Sequence, residues 1–148
     1  MKKVLLFLIV SINTAFADNI ENYMKIANNI PVMEMKSAPE AQAWARSAHN
    51  VLTITSESIA ETLIQANDVA NTQHAPLFCL PTGTILNAEL LNQLIQATYK
   101  ENAGQEQLKS MTVSQVAFMA VTKKYPCQAS TGVMGGNTTT QQLVTANN

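Results

Sequence analysis

FCLPTGTILNAELLNQLIQATYKENAGQEQLKSMTVSQVAFMAVTKKYPC, residues 78–127, is the stretch whose reading decides the fold. It opens on Phe78-Cys79-Leu80-Pro81-Thr82-Gly83, a turn punctuated by proline and glycine, and closes on Tyr125-Pro126-Cys127. Asn87 is placed to cap a helix whose apolar face is Leu90, Leu91, Leu94, Ile95 and Thr98. Asn102 to Ser110 contains Gly104 and is otherwise mostly polar, so it reads as an exposed joint. Thr112-Val113-Ser114-Gln115 has the capping-box pattern, and Val113, Val116, Ala117, Ala120 and Val121 follow on one side of a second helix. Lys123 and Lys124 fall in its last turn, where cations suit the helix dipole, and Pro126 ends it. One cysteine precedes this helix pair and the other follows it. Antiparallel packing would bring both to the same end, and the expectation is a Cys79–Cys127 disulfide clamping a C-terminal helical hairpin. Closing a loop of this length stabilises a fold by about 4 kcal/mol in the chain-entropy account.

The N-terminus supplies the reason to expect an oxidised pair. Lys2 and Lys3 precede the apolar run Val4 to Val10, and Ala15-Phe16-Ala17 fits the small-x-small rule for signal peptidase. Residues 1–17 therefore read as a cleaved signal peptide, with Asp18 as the mature start and the periplasm as the destination. The apolar run is far shorter than the roughly 20 residues that span a bilayer. In an oxidising compartment two cysteines suggest one bridge. Without Lys2 and Lys3, seven cationic side chains face ten anionic ones, a formal charge of −3 spread without a basic patch. That distribution argues against nucleic acid or an anionic membrane as partner.

Upstream of Cys79 the chain reads as helices joined by a connector and a polar loop. Asp18 is placed to cap a short helix with Ile20, Tyr23, Met24 and Ala27 as its buried stripe, and Pro31 is expected to stop it, leaving residues 31–36 as a connector. Ser37-Ala38-Pro39-Glu40 reads as a capping box. Ala41, Trp44, Ala45, Ala48, Leu52, Thr55, Ile59, Leu63, Ala66 and Ala70 then recur at helical spacing. The result is one helix over about residues 38–70, or two parted near Thr53-Ile54-Thr55-Ser56, where β-branched residues cluster. Trp44 is read as core filling or a dimer contact, and residues 71–78 as a polar loop. Beyond Cys127, residues 128–148 hold no charged side chain and only Val133, Met134, Leu143 and Val144 as larger apolar groups, so they read as a disordered polar tail. The whole is an all-α chain: a signal peptide (1–17), a helical bundle domain (18–127) and a tail (128–148).

No catalytic pattern stands out. A Cys–His nucleophile would need a free thiolate, and Cys79 is better used in a bridge. Zinc held by Cys79, Cys127, His49 and His74 lacks any short ligand pair. Glu57 and Glu61, four apart, are the pattern of a wet helix face, and Gly132, Gly135 and Gly136 have no strand or helix to make a phosphate loop. His49 and His74 read as solvent-facing or hydrogen-bonded. No cofactor or metal is expected. An enzyme is disfavoured, though not excluded.

The clamped segment resembles the Rap1a/Tai family, the periplasmic immunity proteins of type VI secretion. The residues that carry the likeness are Phe78-Cys79-Leu80-Pro81-Thr82-Gly83, a helix with Leu90, Leu94 and Tyr99, then Val116-Ala117 and Tyr125-Pro126-Cys127. They cover about fifty residues in the order and rough spacing of the family. The resemblance implies an all-helical domain, often a homodimer, that binds a peptidoglycan amidase effector and occludes its catalytic cleft. It also implies that Cys79 and Cys127 are structural. A helical accessory component of an envelope or secretion apparatus is the alternative. Two polar stretches are candidates for partner contact: Asn71, Thr72, Gln73 and His74, and the joint containing Glu101, Asn102, Gln105 and Glu106.

Overall fold

A computed structural model describes residues 19–127. The expected signal peptide and the expected polar tail lie outside the described residues. The chain is all-α, with five helices among those residues: α1 (Ile20–Glu34), α2 (Pro39–Thr72), α3 (Ala88–Glu101), α4 (Glu106–Lys109) and α5 (Val113–Lys124). Their packing follows the apolar stripes: α1 lies on α2, α2 on α3, and α3 on α5.

The cap of α1 is Asn19 and not the expected Asp18: its side-chain oxygen accepts from the Glu21 N–H at 2.7 Å, and the helix begins at Ile20. The helix does not stop at Pro31; it runs three residues further, to Glu34. Pro31 stands near the C-terminal end, where its missing N–H removes a single helical bond. Ile30, buried, extends the stripe of Ile20, Tyr23 and Met24 by another turn, so packing outweighs the local break. The connector is correspondingly later, at residues 35–38.

The Ser37 capping box does not form. The residue before a proline is pushed to extended geometry, and Ala38, at φ −69° and ψ 126°, becomes the cap, with no side chain to donate or accept. The Ala38 carbonyl receives the N–H groups of Ala41 and Gln42 at 3.1 and 3.2 Å, and Pro39 takes the first helical position. From there α2 is one continuous helix of 34 residues, about 51 Å long, with no break at the β-branched cluster. Its buried line is Ala45, Ala48, Leu52, Ser56, Ala60 and Leu63. The expected line drifts off it in the middle: Thr55 and Ile59 are only half-buried, Ala66 is exposed, and a serine takes the place that periodicity gives to an apolar residue.

Downstream the caps form as read. Asn87 Oδ1 accepts from the Leu90 N–H at 2.9 Å. Thr112 and Gln115 complete a reciprocal box, with bonds of 3.2 and 2.9 Å. The polar joint is not wholly exposed, because it folds into the short α4, whose Leu108 is buried in the common core. That core unites Ile20 and Tyr23 of α1, Leu52 and Ala60 of α2, Leu91 and Ile95 of α3, and Val116 and Val121 of α5. Among the described residues no helix is long and apolar enough to cross a membrane.

The disulfide forms, with the Cys79 and Cys127 Cα atoms 4.8 Å apart, inside the range a bridge requires. Its route differs from a simple antiparallel pair. Leu94, Ala97, Thr98 and Glu101 share a hollow with Ala120, Lys123 and Lys124, and Lys123 Nζ lies 3.0 Å from Glu101 Oε2. Hence α3 and α5 meet through their C-terminal halves. The cysteines come together because Cys79 stands well ahead of α3, near the middle of the α2–α3 connection. The bridge thus ties the exit of α5 to the segment that leaves α2.

Candidate functional site

Three features of the surface could carry a function: the sulfur-bridged knot, the two polar stretches, and a groove between α2 and α3. The knot is built from the motif residues. The Cys79 N–H donates to the Tyr125 carbonyl at 2.9 Å, beside the disulfide. Phe78, buried, anchors the connection in the core. Asn67 of α2 accepts from the N–H groups of both Leu77 and Phe78, at 2.8 and 3.0 Å, and holds the chain where it reaches Cys79. A tight turn follows, closed by the Thr84 N–H on the Pro81 carbonyl at 3.0 Å. Gly83 occupies its left-handed position at φ +82°, which a side chain would strain. Both sulfurs are consumed in one bond, so neither is a free thiolate nor a metal ligand.

The first polar stretch is not all loop. Asn71 and Thr72 belong to the last turn of α2, and only Gln73 and His74 lie beyond it. His74 adopts the left-handed conformation, φ +58°. Its N–H donates to the Asn71 carbonyl at 2.9 Å and the Ala75 N–H to that of Ala70 at 3.1 Å, which is a Schellman motif with histidine where glycine is usual. In the second stretch the polar groups are engaged with near neighbours. Glu101 pairs with Lys123, and Glu106 with Lys109 at 2.6 Å. Asn102 donates to the Thr98 carbonyl at 2.7 Å and accepts from Gln105 at 3.2 Å. Among the described residues no hydrogen bond joins one stretch to the other.

The groove has no counterpart in the sequence reading. His49, Thr53 and Glu57, spaced four apart, line it from α2, and Asn87, Ala88, Glu89 and Asn92 from the start of α3, around an open volume of about 580 Å³. His49, Thr53 and Asn92 also line an adjoining hollow of about 190 Å³, with Ala27 and Ile30 of α1, Leu52 and Gln96. Among the residues lining either volume there is no lysine or arginine. His49 Nδ1 lies 3.3 Å from Thr53 Oγ1.

A buried polar chain sets the floor. Tyr23, fully enclosed, donates its hydroxyl proton to Asn92 Oδ1 at 2.7 Å. The Ser56 hydroxyl, 2.8 Å away and also fully buried, must then be the donor to Tyr23. Gln96 Nε2 gives Asn92 Oδ1 a second bond at 3.0 Å. Burial pushes the Tyr23 phenol above its ordinary 10.0, against the opposing pull of the Ser56 hydroxyl. With its oxygen held twice, the Asn92 carboxamide has a fixed orientation, and its two N–H groups have no partner among the described residues. Ser56, Asn67 and Asn92 were missed in the sequence because a polar residue at a buried helical position carries no spacing signal of its own.

A separate apolar hollow of about 240 Å³ is lined by Ile26, Trp44, Ser47, Ala48 and Val51, with Trp44 38% exposed rather than filling the core. No family model, no curated protein and no solved structure matches the chain.

Proposed function

We propose that this is an exported periplasmic protein that acts by binding another protein, and that its partner is a peptidoglycan amidase effector of type VI secretion, which it inhibits as an immunity protein. One observation carries the reading. The two ends of the motif that resembles the Rap1a/Tai family, Phe78–Gly83 and Tyr125–Cys127, are far apart in sequence and meet in one covalently closed knot. A disulfide suits an oxidising compartment, in keeping with cleavage of residues 1–17. The paired sulfurs remove the nucleophile that the best enzyme reading needs. The surfaces offered to an effector are the Asn71–His74 corner and the joint from Glu101 to Glu106. Second copies of the chain would meet where Trp44 and Val51 stand exposed on α2.

The test is growth. A periplasm-directed amidase, recovered with this protein as bait, is expressed with and without it. Immunity predicts lysis in its absence and rescue in its presence, and rescue is lost when residues 1–17 are deleted. Recovery of structural envelope or secretion components in place of an amidase would favour the accessory role.

A further inference from the structure

The groove between α2 and α3 is charged in one sense only. Glu57 and Glu89 stand at one end with no cationic partner among the described residues, whereas Glu101, the last residue of α3, and Glu106, the first of α4, are each paired with a lysine. Unpaired carboxylates on a concave surface focus a negative potential into it. At the other end the adjoining hollow is lined by polar His49, Thr53 and Gln96 as well as by Ala27, Ile30 and Leu52, the last two buried. Between the two stands Asn92, its carboxamide oxygen held by Tyr23 and Gln96 and its two N–H donors free.

We propose that this groove is a docking site for an extended peptide segment carrying a lysine or arginine. The cation sits between Glu57 and Glu89, and a backbone carbonyl accepts from Asn92. Each feature selects for part of that ligand. Carboxylates without a cation exclude acidic segments; a fixed pair of donors asks for a carbonyl rather than an amine. The Tyr23–Ser56 chain beneath holds the Asn92 amide in place before a ligand arrives, so little ordering remains to be done on binding. The inference needs no effector and stands apart from the immunity reading.

The oxidised full chain, labelled with ¹⁵N, is titrated with two capped tetrapeptides, Ac-Ala-Lys-Ala-Val-NH₂ and Ac-Ala-Glu-Ala-Val-NH₂, while the side-chain amide signals of Asn92 and Gln96 are followed. The expected result is saturable shifts of those signals with the lysine peptide and affinity about tenfold higher than for the glutamate peptide. Glu57→Gln with Glu89→Gln removes that preference, and so does high salt. Glu101→Gln, at the end of α3, leaves it intact. Equal affinities, shifts confined to other residues, or no saturation with the lysine peptide would each overturn the assignment.

Discussion

His74 is the one non-glycine residue with positive φ among the described residues, and it closes α2 where glycine is usual. A side chain in that conformation costs about 1–2 kcal/mol. His74→Gly is therefore expected to stabilise the fold by about 1 kcal/mol, less the added freedom of glycine in the unfolded chain. A denaturant midpoint that rises without a change in slope is the check. Tyr23 is the opposite case, a residue whose polar atom is fully used. Tyr23→Phe leaves the buried Ser56 hydroxyl without its partner and should cost about 1–3 kcal/mol. The same residue gives stability a dependence on alkali. Above pH 10 an unfolded tyrosine releases its proton while folded Tyr23, its pKa raised by burial, keeps it. The folded state then binds more protons, so stability falls as pH rises from the unfolded value through the folded one. Unfolding measured between pH 9 and 11 should show a shallower decline for Tyr23→Phe than for the parent chain.

The caps distinguish what could be read at the level of an element from what could not. Asn87→Ala and Thr112→Ala should each cost about 1 kcal/mol, because both side chains bond the first turn of their helices. Ser37→Ala should change stability by no more than about 0.5 kcal/mol, since Ala38 is the cap of α2. Denaturant unfolding of the three variants side by side separates the two classes. Asn87 and Thr112 were legible because each stands directly ahead of an apolar stripe. At Ser37 the following Ala38-Pro39 moves the start along by one residue. The end of α1 is hidden from the sequence for a related reason: Pro31 is a local stop signal, whereas the burial of Ile30 that carries the helix on to Glu34 exists only in the packed structure. Leu108 was lost among polar neighbours, although a lone leucine in a polar joint is a signal of a buried anchor. The groove was illegible altogether. Its walls come from three helices, its residues are mostly polar, and only packing shows that Glu57 and Glu89 share a hollow.

For the molecule as a whole, the bridge between Cys79 and Cys127 joins the exit of α5 to the α2–α3 connection, at the two ends of the motif on which the functional reading depends. Replacing both cysteines by serine should lower stability by up to about 4 kcal/mol, a large part of the roughly 5–15 kcal/mol that a domain possesses. Thermal unfolding of the two forms measures it. On the proposed reading the chain is exported, trimmed and closed by one covalent link before it meets a partner. A single intact-mass spectrum of protein released from the periplasm, taken without reductant and after exposure to a thiol-alkylating reagent, tests it most directly. The account predicts a chain beginning at Asp18, unalkylated, and about 2 Da lighter than its dithiol form because two sulfur-bound hydrogens are gone. A chain retaining residues 1–17, or one that takes up two alkyl groups, would contradict it.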